Sequence, residues 1–200
     1  MQNYGVTSLI GGATPGSHFS DVFYMNHDGK FVLNDAARSI LNTTHPICQI
    51  AVSSGTIVDG LSVTYQLEGG NTALMQHGSA FNPPSAVVSF GTNEVLAAVY
   101  GREGYHSTYK RDMVTDIAFV VFDTTTDESR TVGPFGKGGQ GNPFWVSDVL
   151  ALGSFAQNTT QYGLSGLIFY KNPTLNSNSI NQGLVPASAA AQAGNLTSLD

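Results

Sequence analysis

Apolar and polar positions alternate along most of the chain in short strand-like runs. Leu61, Val63, Tyr65 and Leu67 lie on one face, with Ser62, Thr64 and Gln66 between them. This period of two belongs to a half-buried strand. Residues 117–122 are apolar throughout, so both faces of that strand must be covered. Residues 47–54, 74–77, 86–90 and 95–100 are further short strands between Gly-, Pro- and Asn-rich turns. Residues 146–155 and 163–170 form two more, joined by an uncharged polar stretch with the look of a hairpin tip. Gly133-Pro134-Phe135-Gly136 has the chemistry of a defined turn beside an aromatic.

Helical signal is nearly absent. One helical turn is expected over residues 34–41, where Asn34 or Asp35 could cap Ala36-Ala37-Arg38. Residues 22–44 have weak periodicity and read as a peripheral insertion. Residues 172–200 are rich in Asn, Ser and Ala without a period, an irregular tail. One all-β domain over residues 1–171 is therefore expected.

The pattern repeats. Residues 49–55, 95–101 and 149–155 resemble one another, as do their partners 59–65, 116–122 and 163–170. The arrangement predicts one four-stranded unit used three times around a common core. On this alignment Asp59, Asp116 and Gly163 stand at equivalent places.

Composition narrows the function. The chain has 200 residues, 41% apolar and 11% charged, which suits a globular low-charge domain. Eight basic and fourteen acidic residues give a net charge of −6, and no basic cluster is present to displace counterions from a nucleic acid. Nucleic acid is thus not an expected partner. Cys48 is the single cysteine, so it reads as a small core residue. No apolar run approaches the length of a membrane span. Without a recognisable signal segment, a cytoplasmic location is favoured over a secreted one, although Asn42, Asn158 and Asn195 open glycosylation sequons.

Catalytic and metal chemistry find little support. His77 and His106 are dispersed without ligand spacing, and no nucleophile elbow is present. Residues 136–141 are glycine-rich but lack the spacing of a phosphate-binding loop. Trp145 reads as core or as a subunit contact. No enzyme, cofactor or metal is expected.

Gly11-Gly12 with Phe19-Ser20-Asp21, then SSGTIVDGLSVTYQLEGG, MQHGS, FGTNEVLAAVYGREG, DIAFVVFDTTTDESRTVGPFG and VLALGSF…GLIFY, occur in that order. Together they resemble the jacalin-related lectins over most of residues 11–170. The resemblance implies a β-prism of three Greek-key sheets with pseudo-threefold symmetry. It also implies metal-independent binding of glycans or glycoproteins at one prism end, with strength gained through a homo-oligomer. The implied site lies between Gly16 of the N-terminal glycine loop, the last hairpin tip with Thr160, Gln161, Tyr162 and Gly163, and Tyr105 on the neighbouring tip. Family members carry Gly-Xaa-Xaa-Xaa-Asp before the final strand, where this chain has Thr159-Thr160-Gln161-Tyr162-Gly163. Losing the carboxylate removes a charge-assisted acceptor for sugar hydroxyls. A non-catalytic structural or protein-binding prism that has lost sugar recognition is the alternative.

Overall fold

The computed structural model describes residues 5–13, 17–137, 139–156 and 163–171. Among these residues every regular element is a strand. The first unit pairs β6 (Ile47–Ser54) with β7 (Val58–Gln66), flanked by β8 (Thr72–Gly78) and β9 (Ala86–Ser89) in the order β8-β7-β6-β9. The second pairs β10 (Glu94–His106) with β11 (Arg111–Asp123), flanked by β12 (Glu128–Phe135) and β13 (Asn142–Ser147) in the order β12-β11-β10-β13. The third pairs β14 (Val149–Ala156) with β15 (Leu164–Lys171). Chain-terminal strands complete it: β1 (Gly5–Val6) and β2 (Ile10–Gly11) pair with β15, and β3 (Ser17–Ser20) pairs with β14. This is the β-prism, with a central hairpin in each sheet and an antiparallel strand on either side.

The inward faces of the three hairpins form one core. Ile50 faces Val63, Val99 faces Phe119 and Leu152 faces Phe169, and all six are buried in a single cluster. Their shared ring position follows from the strand period: each is the inward residue of its hairpin at the same height.

Pairing corrects the sequence alignment of the repeats. Each second strand carries a bulge near its start, at Asp59, Thr115 and Ser165, where the register to the first strand shifts. A glycine with positive φ lies against each bulge. A Cβ on Gly78, Gly136 or Gly11 would fall 2.5, 2.3 or 2.4 Å from the carbonyl oxygen of Asp59, Thr115 or Ser165. Asp59 therefore corresponds to Ser165, and Gly163 corresponds to Ile57 and Met113. The sequence periods alone do not show this, because an inserted bulge residue leaves the apolar pattern looking continuous while moving the frame.

Residues 22–44 make β4 (Val22–Met25) and β5 (Phe31–Leu33), a two-stranded sheet separate from the other three. The ribbon is not merely peripheral. Val22, Phe31, Leu33 and Leu41 belong to the main core cluster, and Leu41 bridges to Leu67. The expected helical turn is absent; the Asp35 carboxylate instead accepts from the Ser39 N–H and hydroxyl, making a local turn that returns Ile40 to Val32. Cys48 is half-buried, and its thiol donates to the Thr64 carbonyl at 3.3 Å.

Candidate functional site at the hairpin-tip end

Short contacts bring the three hairpin tips to one end of the prism. A Cβ on Gly163 would lie 2.6 Å from Ile57 Cδ1 and 3.0 Å from Met113 Cε, so the three units meet there on the threefold axis. Lys137 N–H donates to the Thr56 carbonyl at 3.0 Å, fastening the glycine-rich loop after β12 to the first tip. A Cβ on Gly12 would lie 2.9 Å from the Asp112 Cβ. The N-terminal glycine loop thus rests on the base of the middle tip.

The sequence-predicted site residues meet different fates. Tyr105 is on the middle tip, paired with Asp112 and 67% exposed. Gly163 is buried with φ +63°, facing the axis and not the outer rim. Gly16, Thr160, Gln161 and Tyr162 lie outside the described residues. The structure therefore joins Tyr105 to the Gly11-Gly12 segment through Asp112.

A residue that sequence reasoning passed over lies on the first tip. The Gly-Xaa-Xaa-Xaa-Asp spacing missing from the third hairpin is present here as Gly55-Thr56-Ile57-Val58-Asp59. Burial pushes the Asp59 carboxyl above its ordinary value, and a hydrogen bond from the Gly55 backbone N–H opposes that rise. The loop that follows β8 lines the same tip: Ser79 N–H donates to the Asp59 carbonyl at 2.9 Å, and Phe81 N–H donates to Ser53 Oγ at 2.8 Å. Ser85 binds Ser54 twice, at 2.9 Å each, and secures the loop's far end. Phe81 is 40% exposed on this loop. The first tip thus combines a half-buried carboxylate with an exposed ring, one polar and one apolar group of the kind a sugar requires.

At the third tip the bulge residue is Ser165, fully buried, and its Oγ has no partner among the described residues. It offers no carboxylate.

Beneath this end, buried polar groups tie the units together. Tyr65 Oη donates to Asp21 Oδ2 at 2.6 Å and accepts from the Leu152 N–H at 3.0 Å. His77 Nε2 lies 2.9 Å from the same Asp21 oxygen, and Nδ1 lies 2.8 Å from Ser154 Oγ. With Nε2–H donating to the carboxylate, Nδ1 of a neutral ring accepts from the Ser154 hydroxyl. Serine, histidine and aspartate stand in the order of a hydrolase triad, but all are buried at 0–1% exposure, so no substrate reaches them. Their work is to join β3 and β4 to β7, β8 and β14. Burial, and next the Asp21 carboxylate, hold the Tyr65 phenol well above its ordinary range.

Among the described residues no three His, Cys, Asp or Glu side chains group to hold a metal ion, and no helix is long and apolar enough to cross a membrane.

A family model described as the jacalin-like lectin domain matches residues 24–162. No curated protein sequence matches the chain. Among solved structures, a mannose-specific jacalin-related lectin from Morus nigra, in complex with mannose, is similar at TM-score 0.61 and 18% identity, covering 85% of this chain and 95% of its own. A Malaysian banana lectin gives TM-score 0.59 and 15% identity over 84% of this chain and 97% of its own. A mannose-binding jacalin-related lectin from Ananas comosus gives TM-score 0.57 and 22% identity over 84% and 96%.

Proposed function

Because the chain belongs to the family of jacalin-like lectin domains, which are non-catalytic, we propose that it binds glycans without a metal in shallow sites at the hairpin-tip end. The observation that carries this reading is Asp59 on the first tip, a carboxylate spaced four residues from Gly55 and flanked by the loop with Phe81. Its oxygens would accept two neighbouring sugar hydroxyls, each charge-assisted bond contributing about 1.5–3 kcal/mol. Phe81 would meet the apolar face of the ring. Tyr105, with Gly16 and Thr160 to Gly163 as the sequence suggests them, remains the second candidate, without the carboxylate of the resembled motif. Mannose is the first sugar to test, since two of the similar structures are named for mannose recognition.

Single sites of this kind bind weakly, and a homo-oligomer presenting several would supply avidity. The second reading, a protein-binding prism without sugar recognition, is favoured by one feature only: the third hairpin carries a fully buried serine, Ser165, at the place that Asp59 takes in the first.

A glycan array probed with the purified chain tests the proposal. Binding of any defined neutral glycan, reduced at least about tenfold by Asp59→Asn, is expected. An array without hits would support the protein-binding reading.

A further inference from the structure

We propose a second carbohydrate subsite on the outer face of the middle sheet, where Tyr100 and Trp145 form the stacking platform for a neutral pyranose and Asp116 with Arg102 forms its polar edge. The inference rests on the glycan-binding reading and assigns it a place away from the Asp59 tip.

Outward positions of corresponding strands differ in chemistry. On β7 they are Ser62, Thr64 and Gln66, as a solvated sheet face requires. On β11 they are Ala118, Val120 and Phe122; Val120 joins Ala97 and Ala98 of β10 in a small apolar cluster outside the prism core, with Tyr100 and Phe122 packed against it. Ala118, Val120 and Ala98 are buried under larger neighbours. Tyr100 faces Ala118 on one side and Trp145 on the other, and its ring stacks on the indole at 5.5 Å with 18° between planes. Trp145 is 43% exposed on the edge strand β13. It is neither core nor free of contact.

One row along the same face, about 7 Å away by strand geometry, Arg102 pairs with Asp116 and Pro143. Burial raises the Asp116 carboxyl, and the Arg102 charge and the backbone N–H groups of Arg102 and Gly139 oppose that rise. Arg102 is positioned in turn by donating from Nη1 to the Gly141 carbonyl at 3.1 Å. A held carboxylate and a guanidinium beside parallel aromatic rings complement one molecule type closely. The C–H face of a pyranose covers the exposed indole of Trp145, which Tyr100 backs, and its ring-edge hydroxyls donate to Asp116 and accept from Arg102. A purely apolar partner would leave both charges desolvated, and the charged row therefore selects the sugar.

Trp145 is the chain's single tryptophan, so its fluorescence reports this face alone. Titrating the full chain with mannotriose, cellotriose and chitotriose, while recording both Trp145 emission and calorimetric heat, separates the possibilities. The expected result is a saturable blue shift and lower acrylamide quenching with at least one sugar, weakened tenfold or more by Asp116→Asn and retained in Asp59→Asn. Arg102→Gln serves as the second variant, with circular dichroism checking the fold of each. Binding heat without any change at Trp145 would overturn this subsite and leave the tip site standing. Neither heat nor emission change with any sugar would overturn both. A blue shift that grows with protein concentration in the absence of sugar, accompanied by a dimer in sedimentation, would make the face a self-association surface and also overturn the proposal.

Discussion

The first and third hairpins are built on one plan and equipped differently. Each has a bulge at the start of its second strand, pressed against a positive-φ glycine, yet the bulge residue is Asp59 in one and buried Ser165 in the other. Two residues earlier, Ile57 fills the threefold axis in the first hairpin, while Gly163 leaves the corresponding position without a side chain in the third. The comparison teaches that the backbone frame and the recognition chemistry are separable. Packing demands fix the bulge, the glycine and the axis, whereas the polar residue on the bulge differs between the two hairpins on the same frame.

The seam between these regions should give the largest effect. Asp21 accepts from Tyr65 and His77 of the first unit, and His77 reaches Ser154 of the third. Asp21→Ala leaves buried donors unsatisfied and is expected to cost about 3–5 kcal/mol in denaturant unfolding. A loss below about 1 kcal/mol would mean that the two units are held together by apolar packing alone.

Placing an acid on the axis of the third hairpin, two residues before the bulge, should fail. Gly163→Asp places a side chain at φ +63° against Ile57 and Met113, and is expected to lower stability by about 1–3 kcal/mol without raising glycan affinity. An affinity gain measured by calorimetry would show that the two tips are more alike than their packing indicates.

Titration sharpens the same contrast. The folded Asp59 pKa lies above the ordinary 3.8 because burial penalises the charge. Glycan affinity should therefore fall as pH drops through that raised value, and the fall should vanish in Asp59→Asn. For stability the sign is opposite to that of a salt-bridged acid: the charged Asp59 is unfavourable above its folded pKa, and acidification relieves it. The pH profile of unfolding for the variant should thus lie above the wild type near neutrality and converge with it in acid.

The middle hairpin supplies a control of small effect. Arg130 holds the Glu94 carboxyl down, to about 2 from an ordinary 4.5, through hydrogen bonds at 2.8 and 2.9 Å. A depressed carboxyl stabilises above its unfolded pKa and loses that contribution as pH falls toward 2. The pair is partly exposed, so Glu94→Gln should cost no more than about 1 kcal/mol at neutral pH.

Much of the prism was legible in the chain because alternation forces it. Leu61, Val63 and Tyr65 announce an inward face, and the three hairpins follow from the same period. Register within the repeats was not legible, since the bulges at Asp59, Thr115 and Ser165 depend on which backbone groups pair. The Asp21–His77 pair was hidden by a sequence separation of 56 positions. The ribbon of residues 22–44 looked peripheral because its few core residues, Val22, Phe31, Leu33 and Leu41, follow no sustained period. Of the residues the sequence suggests for the site, Gly16, Thr160, Gln161 and Tyr162 lie outside the described residues. Tyr105 is exposed beside the N-terminal glycine segment, but the acid spacing sought in the third hairpin was present in the first all along.

The central claim is that Asp59 on the first tip is the carboxylate through which this prism holds a sugar. Isothermal titration of mannotriose into the wild-type chain and into Asp59→Asn, at neutral pH and with equal folded fractions, tests it most directly. The account predicts that the variant binds at least about tenfold more weakly while unfolding at the same or slightly higher denaturant concentration. Equal affinities in the two proteins would contradict it.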